Sequence, residues 1–267
     1  MLMVAKNYLR FFLKSIRCNL ASVMEYKKSF IIQSIFMFFN NIFFLVFWVV
    51  VFNASGGNIN GTTFNDILFL WSVPVLAYGT AYFFFGGIRN LGKYILEGGL
   101  DSFLIQPKNV LISVMLSSMD FSAFGDFIYG IVIGLFAVEF NIMKFIILLI
   151  LGLLGAIFYI CTEIIIRLLT IKIGNTDNIE HVYINTLMIN FASYPEVIYS
   201  NVIKFLIYTV IPSAYISFVP IKFITTLKFE YLFLFVFALA VYASITIFVS
   251  KKLLKKYESG NNIALKG

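Results

Sequence analysis

The sequence predicts an all-α, polytopic membrane protein with six crossings, on three observations. Of 267 residues, 61% are hydrophobic and 12% charged, against roughly 25% charged in an average soluble domain; the mean hydropathy is +0.94. The apolar residues gather in runs of about 20, the length that crosses a hydrocarbon core. Lysine and arginine stand beside the ends of those runs, so the net charge of +7 orients the chain in a bilayer rather than marking a nucleic-acid surface. Cys18 and Cys161 are too few and too distant for a disulfide framework, and His181 is the only histidine, which excludes a histidine metal centre.

Residues 1–29 precede the first run and show a helical pattern. Leu9, Phe12, Leu13, Ile16, Leu20 and Val23 fall on one face, and Lys6, Arg10, Lys14 and Arg17 on another. Such a helix lies in the membrane interface, with its basic side toward anionic headgroups. The first apolar run is too long for the core of a signal peptide, so it is expected to stay in the protein.

The first crossing is placed at 31–52 and the second at 67–88. The linker NASGGNINGTTFND has no lysine or arginine and reads as external, with Trp48 and Trp71 near that side as an aromatic belt. Asn53-Ala54-Ser55 and Asn60-Gly61-Thr62 fit the glycosylation pattern, but short turns account for them better. Gly56 and Gly61 have P-loop spacing, yet Thr62 stands where the lysine is required, so no nucleotide site is expected there.

The third crossing is placed at 111–138. Asp126, Gly130 and Gly134 step by four, a small-residue strip that lets another helix approach closely. The fourth, 145–169, holds Glu163 and Arg167, spaced i, i+4 to pair on one face, although Arg167 is near enough to the cytosolic end to snorkel. Asp126 and Glu163 are the intramembrane carboxylates that need explaining: each can line a pathway or accept hydrogen bonds at a helix interface. The fifth crossing is placed at 179–195, followed by an outer region, 196–226, broken by Pro212 and Pro220. The alternative is one span from Val202 to Ile224, leaving 171–201 cytosolic. The sixth, 231–249, stops at Lys251 and Lys252 and leaves 250–267 as a cytoplasmic tail. Under this topology sixteen of the 20 basic residues lie inside, with both termini cytoplasmic; Lys204, Lys222 and Lys228 outside are its weak point.

Between the second and third crossings lies the polar-flanked stretch 89–109. Leu91, Ile95, Leu96, Leu100, Phe103 and Leu104 recur at helical spacing while Arg89, Lys93, Glu97, Asp101 and Lys108 point elsewhere, giving a short amphipathic helix bent at Gly98-Gly99 and ended before Pro107. Gly99-Leu100-Asp101, Leu104 and Pro107 resemble the cytoplasmic loop of ABC-2 family permeases, in the subfamily that includes viologen exporters. Tyr194-Pro195, Pro212 and Pro220 are similar to that family's proline-rich region. The resemblance implies a single ABC-2 membrane domain over 1–267: an N-terminal connecting helix, a coupling helix at Gly98–Pro107 seated on a separate cytosolic ABC ATPase, and an outer re-entrant hairpin. It also implies a second permease subunit, identical or related, because one chain is half a pathway.

No Gly-x-Ser-x-Gly, His-Glu-x-x-His, Cys-x-x-Cys or P-loop pattern is present, so neither enzyme activity nor a cofactor is expected on this chain. Two other readings stay open at this stage. One is a proton-coupled transporter using Asp126 and Glu163; the other is a non-transporting immunity or assembly protein of the bilayer.

Overall fold

The computed structural model describes residues 2–25, 27–57, 59 and 61–258. Asn60, the first residue of a glycosylation-type triplet, and the tail from Ser259 with Lys266 lie outside them. In chain order the helices are α1 (Leu2–Glu25), α2 (Lys27–Ala54), α3 (Phe64–Phe85), α4 (Leu91–Leu96), α5 (Asp101–Leu104), α6 (Val110–Met115) and α7 (Ala123–Ala137). There follow α8 (Ile142–Ile173), α9 (Asp177–Glu180), α10 (Ile189–Ser193), α11 (Asn201–Thr209), α12 (Ser213–Ile216), α13 (Phe218–Thr226) and α14 (Phe229–Leu254). Among the described residues, extended pairing is limited to one bridge between Ile59 and Thr62. The all-α expectation holds.

Among the described residues four helices are long and apolar enough to cross a bilayer: α2, α3 carried through to Leu96, α8 and α14; counting the bent α11–α13 unit makes five. Helix α3 is the axis. Thr63 and Asp66 start it with reciprocal bonds, the Thr63 N–H donating to Asp66 Oδ2 at 2.8 Å, which satisfies donors that a helix start leaves free. Its neighbours come close because they are glycine-bearing. A Cβ on Gly130 would lie 2.7 Å from the Leu76 Cα, and one on Gly134 would lie 2.8 Å from Leu148 Cδ2. The Gly130/Gly134 strip therefore packs α7 against α3 and α8 of its own chain.

The third expected crossing is interrupted. Between α6 and α7 the chain leaves the helix at Leu116–Ser122, because other partners satisfy its polar groups. Asp120 Oδ1 accepts from Ser122 N at 3.0 Å and from Ser122 Oγ at 2.6 Å. Gly87 N donates to Ser118 O at 2.8 Å, and Asp120 N to Tyr82 O at 3.1 Å. That leaves α7 about 22 Å long at the usual 1.5 Å rise, short for a straight crossing.

The fifth expected crossing is one helical rod over 177–193, π-helical in its middle at His181–Met188. It starts where Asp177 bonds to Arg167 of α8 and ends where the Tyr194 ring packs 5.9 Å from Trp48. It thus joins the loop end of the bundle to the opposite end. Both indoles are turned inward rather than forming a lipid-facing belt: Trp71 stacks on Phe44 at 3.9 Å, and both side chains are buried.

The proline region is a bent helix pair rather than one straight helix from Val202 to Ile224, a shape that a broken span and a re-entrant loop share. Helix α11 meets the segment 213–226 at 73°. Pro212 precedes α12 and Pro220 sits in the first turn of α13, places where a missing N–H is harmless; Pro195 opens the short turn Glu196–Ile198. Lys222, a weak point of the charge count, is 2.6 Å from Glu196, which also accepts from the Tyr208 hydroxyl at 3.1 Å.

Candidate functional site

After Phe85 the chain tightens into a 3-10 turn, Gly86–Asn90, and continues as α4. Leu91 and Ile95 of α4, with Leu100, are fully buried against Ile164 and Leu168 of α8 and Leu253 of α14. Gly98 has φ +76°, a left-handed conformation open to glycine, and it turns the chain so that Leu100 N donates to Tyr94 O at 3.0 Å. Helix α5 is then a single turn. The expected apolar stripe is divided: Leu96 and Leu104 face outward with Ile105, which is 85% exposed. Four of the six stripe positions form the seat on the bundle; Leu96 is left exposed on α4, and Leu104 with Ile105 forms an apolar tip. Asp101 lies against the C-terminal segment, where burial and its carboxylate push the Tyr257 hydroxyl up to about 12.

Helix α1 holds the far side of this loop. Lys108 Nζ lies 3.3 Å from the Phe11 ring centroid, and Asn109 N donates to the Tyr8 hydroxyl at 3.3 Å, so the two residues that follow Pro107 touch α1. Phe12 stacks 5.8 Å from Phe85. The amphipathic stripe of α1 is shared between two surroundings: Phe12, Ile16 and Val23 are half-buried, while Leu9, Leu13 and Leu20 stay exposed beside the exposed basic residues.

Arg89, expected to point away, turns inward. Its Nη1 donates to Asp120 Oδ2 at 2.7 Å and its Nη2 to the Tyr78 hydroxyl at 2.5 Å, with the guanidinium 3.8 Å over the Tyr82 ring. The Tyr82 hydroxyl donates to Glu163 Oε2 at 3.0 Å. Glu163 Oε1 accepts from Arg167 Nε at 2.7 Å, and Arg167 also bonds Asp177 and lies 3.4 Å from Glu180. The i, i+4 pair is therefore made, within a network of two guanidinium and four carboxylate groups. Arg167 does not snorkel; its side chain is buried. Exposed Asp177 is held below the usual carboxylate range by the Arg167 hydrogen bond. Helix α8 has 32 residues, about 48 Å of helix against a core of about 30 Å. The helix is therefore longer than one straight crossing needs.

Asp126 belongs to a separate polar group deeper in the bundle. Its Oδ1 accepts from Asn41 Nδ2 at 2.6 Å, and the Asn41 carbonyl accepts from the Tyr129 hydroxyl at 3.1 Å. Asp126 Oδ2 is buried and has no hydrogen-bond partner. The carboxylate lines a cavity of 150 Å³ walled by Trp71, Tyr78, Tyr159, Asn40 and Ser193 among others. Tyr78 therefore belongs to both places: its ring walls the cavity and its hydroxyl accepts from Arg89.

The structure thus joins Glu163 with Arg167, and places Asp126 apart from Glu163 in its own cavity. Gly130 and Gly134 serve helix packing. Tyr194, Pro195, Pro212 and Pro220 lie at the opposite end from the loop. Sequence reasoning missed Arg89, Asp120, Tyr78, Tyr82 and Asn41. Only Asn41 left a signal, as an amide in the middle of an apolar run. Among the described residues no group of histidine, cysteine and acidic side chains is arranged to hold a metal ion.

A family model described as ABC-2 family transporter protein matches residues 37–260. No curated protein and no solved structure matches the chain.

Proposed function

Because the chain belongs to the ABC-2 family of transporter proteins and is a multi-pass membrane subunit of permease type, we propose that it forms half of an export pathway driven by a separate cytosolic ATPase. The loop 89–109 and both termini lie on the cytosolic side, the hairpin 196–226 lies outside, and a second permease, identical or related, completes the pathway. The observation that carries this reading is the Tyr78–Arg89 hydrogen bond. It ties the first residue of the loop to the wall of the Asp126 cavity, so a partner that moves the loop moves the cavity.

Each part of the loop has a place in that motion. Leu104 and Ile105 offer an exposed apolar tip for a groove on the ATPase. Leu91, Ile95 and Leu100 fasten the loop to α8 and α14, and α1 braces it through Tyr8 and Phe11. A force on the tip reaches the crossings as displacement of a packed unit, because close-packed interfaces shift rather than flex. The two ATPase states must contact the tip differently for this to do work.

Ile105→Asp tests the reading, since an exposed side chain changes without disturbing the fold. The variant should insert normally yet no longer retain the ATPase on affinity purification, and its nucleotide hydrolysis should lose dependence on the permease. Full retention and normal stimulation would reject the assignment of the loop. Efflux that survives ATP depletion and collapses with the proton gradient would favour Asp126 as a proton relay instead.

A further inference from the structure

We infer that the Asp126 cavity is a binding site for an ammonium group that bears at least one N–H and is carried on a small apolar body; this rests on the permease reading above. Three features of the cavity select that chemistry. The first is charge: a carboxylate lines an otherwise mostly apolar and aromatic space, and buried carboxylates are stable when paired or hydrogen-bonded. The nearby Arg89 guanidinium is already engaged by Asp120 and Tyr78.

The second feature is the unpaired oxygen. Asn41 satisfies Oδ1 at 2.6 Å, while Oδ2 has no donor. A buried acceptor without a donor favours a ligand that brings an N–H. A quaternary ammonium brings charge without an N–H, and its methyl groups hold the positive centre away from the oxygen. A site with an unmet polar group therefore rejects a ligand that cannot meet it.

The third is shape. Trp71, Tyr78 and Tyr159 line the cavity, aromatic side chains of the kind that attract a cation and pack an apolar body. A volume of 150 Å³ equals that of engineered cavities of about 150 Å³ that admit benzene, which sets the size of the group beside the nitrogen. Asn40, exposed on α2, also lines the cavity and marks its mouth on that helix.

Benzylamine and benzyltrimethylammonium make the deciding probe pair, since both are cations at neutral pH and share the same ring. The full chain is placed in phosphatidylcholine nanodiscs, so that no anionic lipid concentrates cations at the surface. The sequence has two tryptophans; a Trp48→Phe background leaves Trp71, in the cavity wall, as sole reporter. Benzylamine should change Trp71 fluorescence saturably, and benzyltrimethylammonium should bind at least tenfold more weakly. Asp126→Asn, which can keep the Asn41 contact, should abolish that preference. Equal binding of the two cations, binding of neither, or a preference that survives Asp126→Asn in a folded protein would overturn the assignment. The comparison of probes in the parent protein stands even where Asp126→Asn fails to fold. The assay needs no ATPase, so failure here leaves the Ile105→Asp test of coupling untouched, and failure there leaves the cavity chemistry standing.

Discussion

Replacing Arg167 by methionine removes the one guanidinium shared by Glu163, Asp177 and Glu180 while keeping a long stem against Gly92 and α8. The three carboxylates lose unequal amounts. The Asp177 side chain is 71% exposed, and an exposed partner contributes little once water screens it. Glu163 has no exposed side-chain surface, so most of the penalty falls on a buried charge left without its cation. Removing one partner of a buried pair costs about 3–5 kcal/mol. At about 2–4 °C per kcal/mol for a chain of this size, the unfolding midpoint should fall by about 10 °C. Thermal unfolding of the detergent-purified variant, followed by tryptophan fluorescence, measures this. The Arg167→Met/Glu163→Gln double variant should recover more than half the loss, because the uncompensated charge is gone. A single variant within about 1 kcal/mol of the parent, or a double variant no more stable than the single, would refute the network as the element that fixes the Arg167 end of α8.

Gly130→Ala should destabilise by about 1–3 kcal/mol, because its Cβ meets the Leu76 backbone, and Gly134→Ala by less, because it meets the movable end of Leu148; the same unfolding assay ranks them. Arg89→Gln should leave ATPase binding intact and reduce permease-stimulated hydrolysis by about 5- to 150-fold, the usual range of a coupling free energy; a normal rate would show that the bond to Tyr78 carries no signal. Asp101→Leu should insert normally and lose stimulation, since it alters both the single turn of α5 and its contact with Tyr257. Normal stimulation in that variant would remove Asp101 from the coupling surface.

Much of the architecture was legible because a bilayer restricts what apolar runs can do. A run such as 31–52 has few alternatives to a helix, and α2, α8 and α14 lie where hydropathy places them. Gly98 was legible as a bend, and Pro212 as a break, since backbone geometry is local. The division of 111–138 was not, because Leu116–Ser122 leaves the helix only when Tyr82 O and Gly87 N arrive as hydrogen-bond partners. Likewise the pattern at Leu91–Leu104 shows an amphipathic segment but not that Leu104 faces away from Leu100: the turn at Gly98 rotates one part against the other.

The sequence by itself determined that the chain is helical, which segments are apolar enough to lie in a membrane, where basic residues anchor them, and that Glu163 and Arg167 are within reach on one helix. Those properties depend on neighbours a few residues apart. The tertiary structure alone decided that Arg89 turns inward to Asp120 and Tyr78, that Asp126 takes Asn41 as its partner, and that one tyrosine belongs to both the loop network and the cavity. Arg89 and Asp120 are 31 positions apart and Asn41 and Asp126 are 85. Only the packing of separate helices brings such groups within hydrogen-bond range.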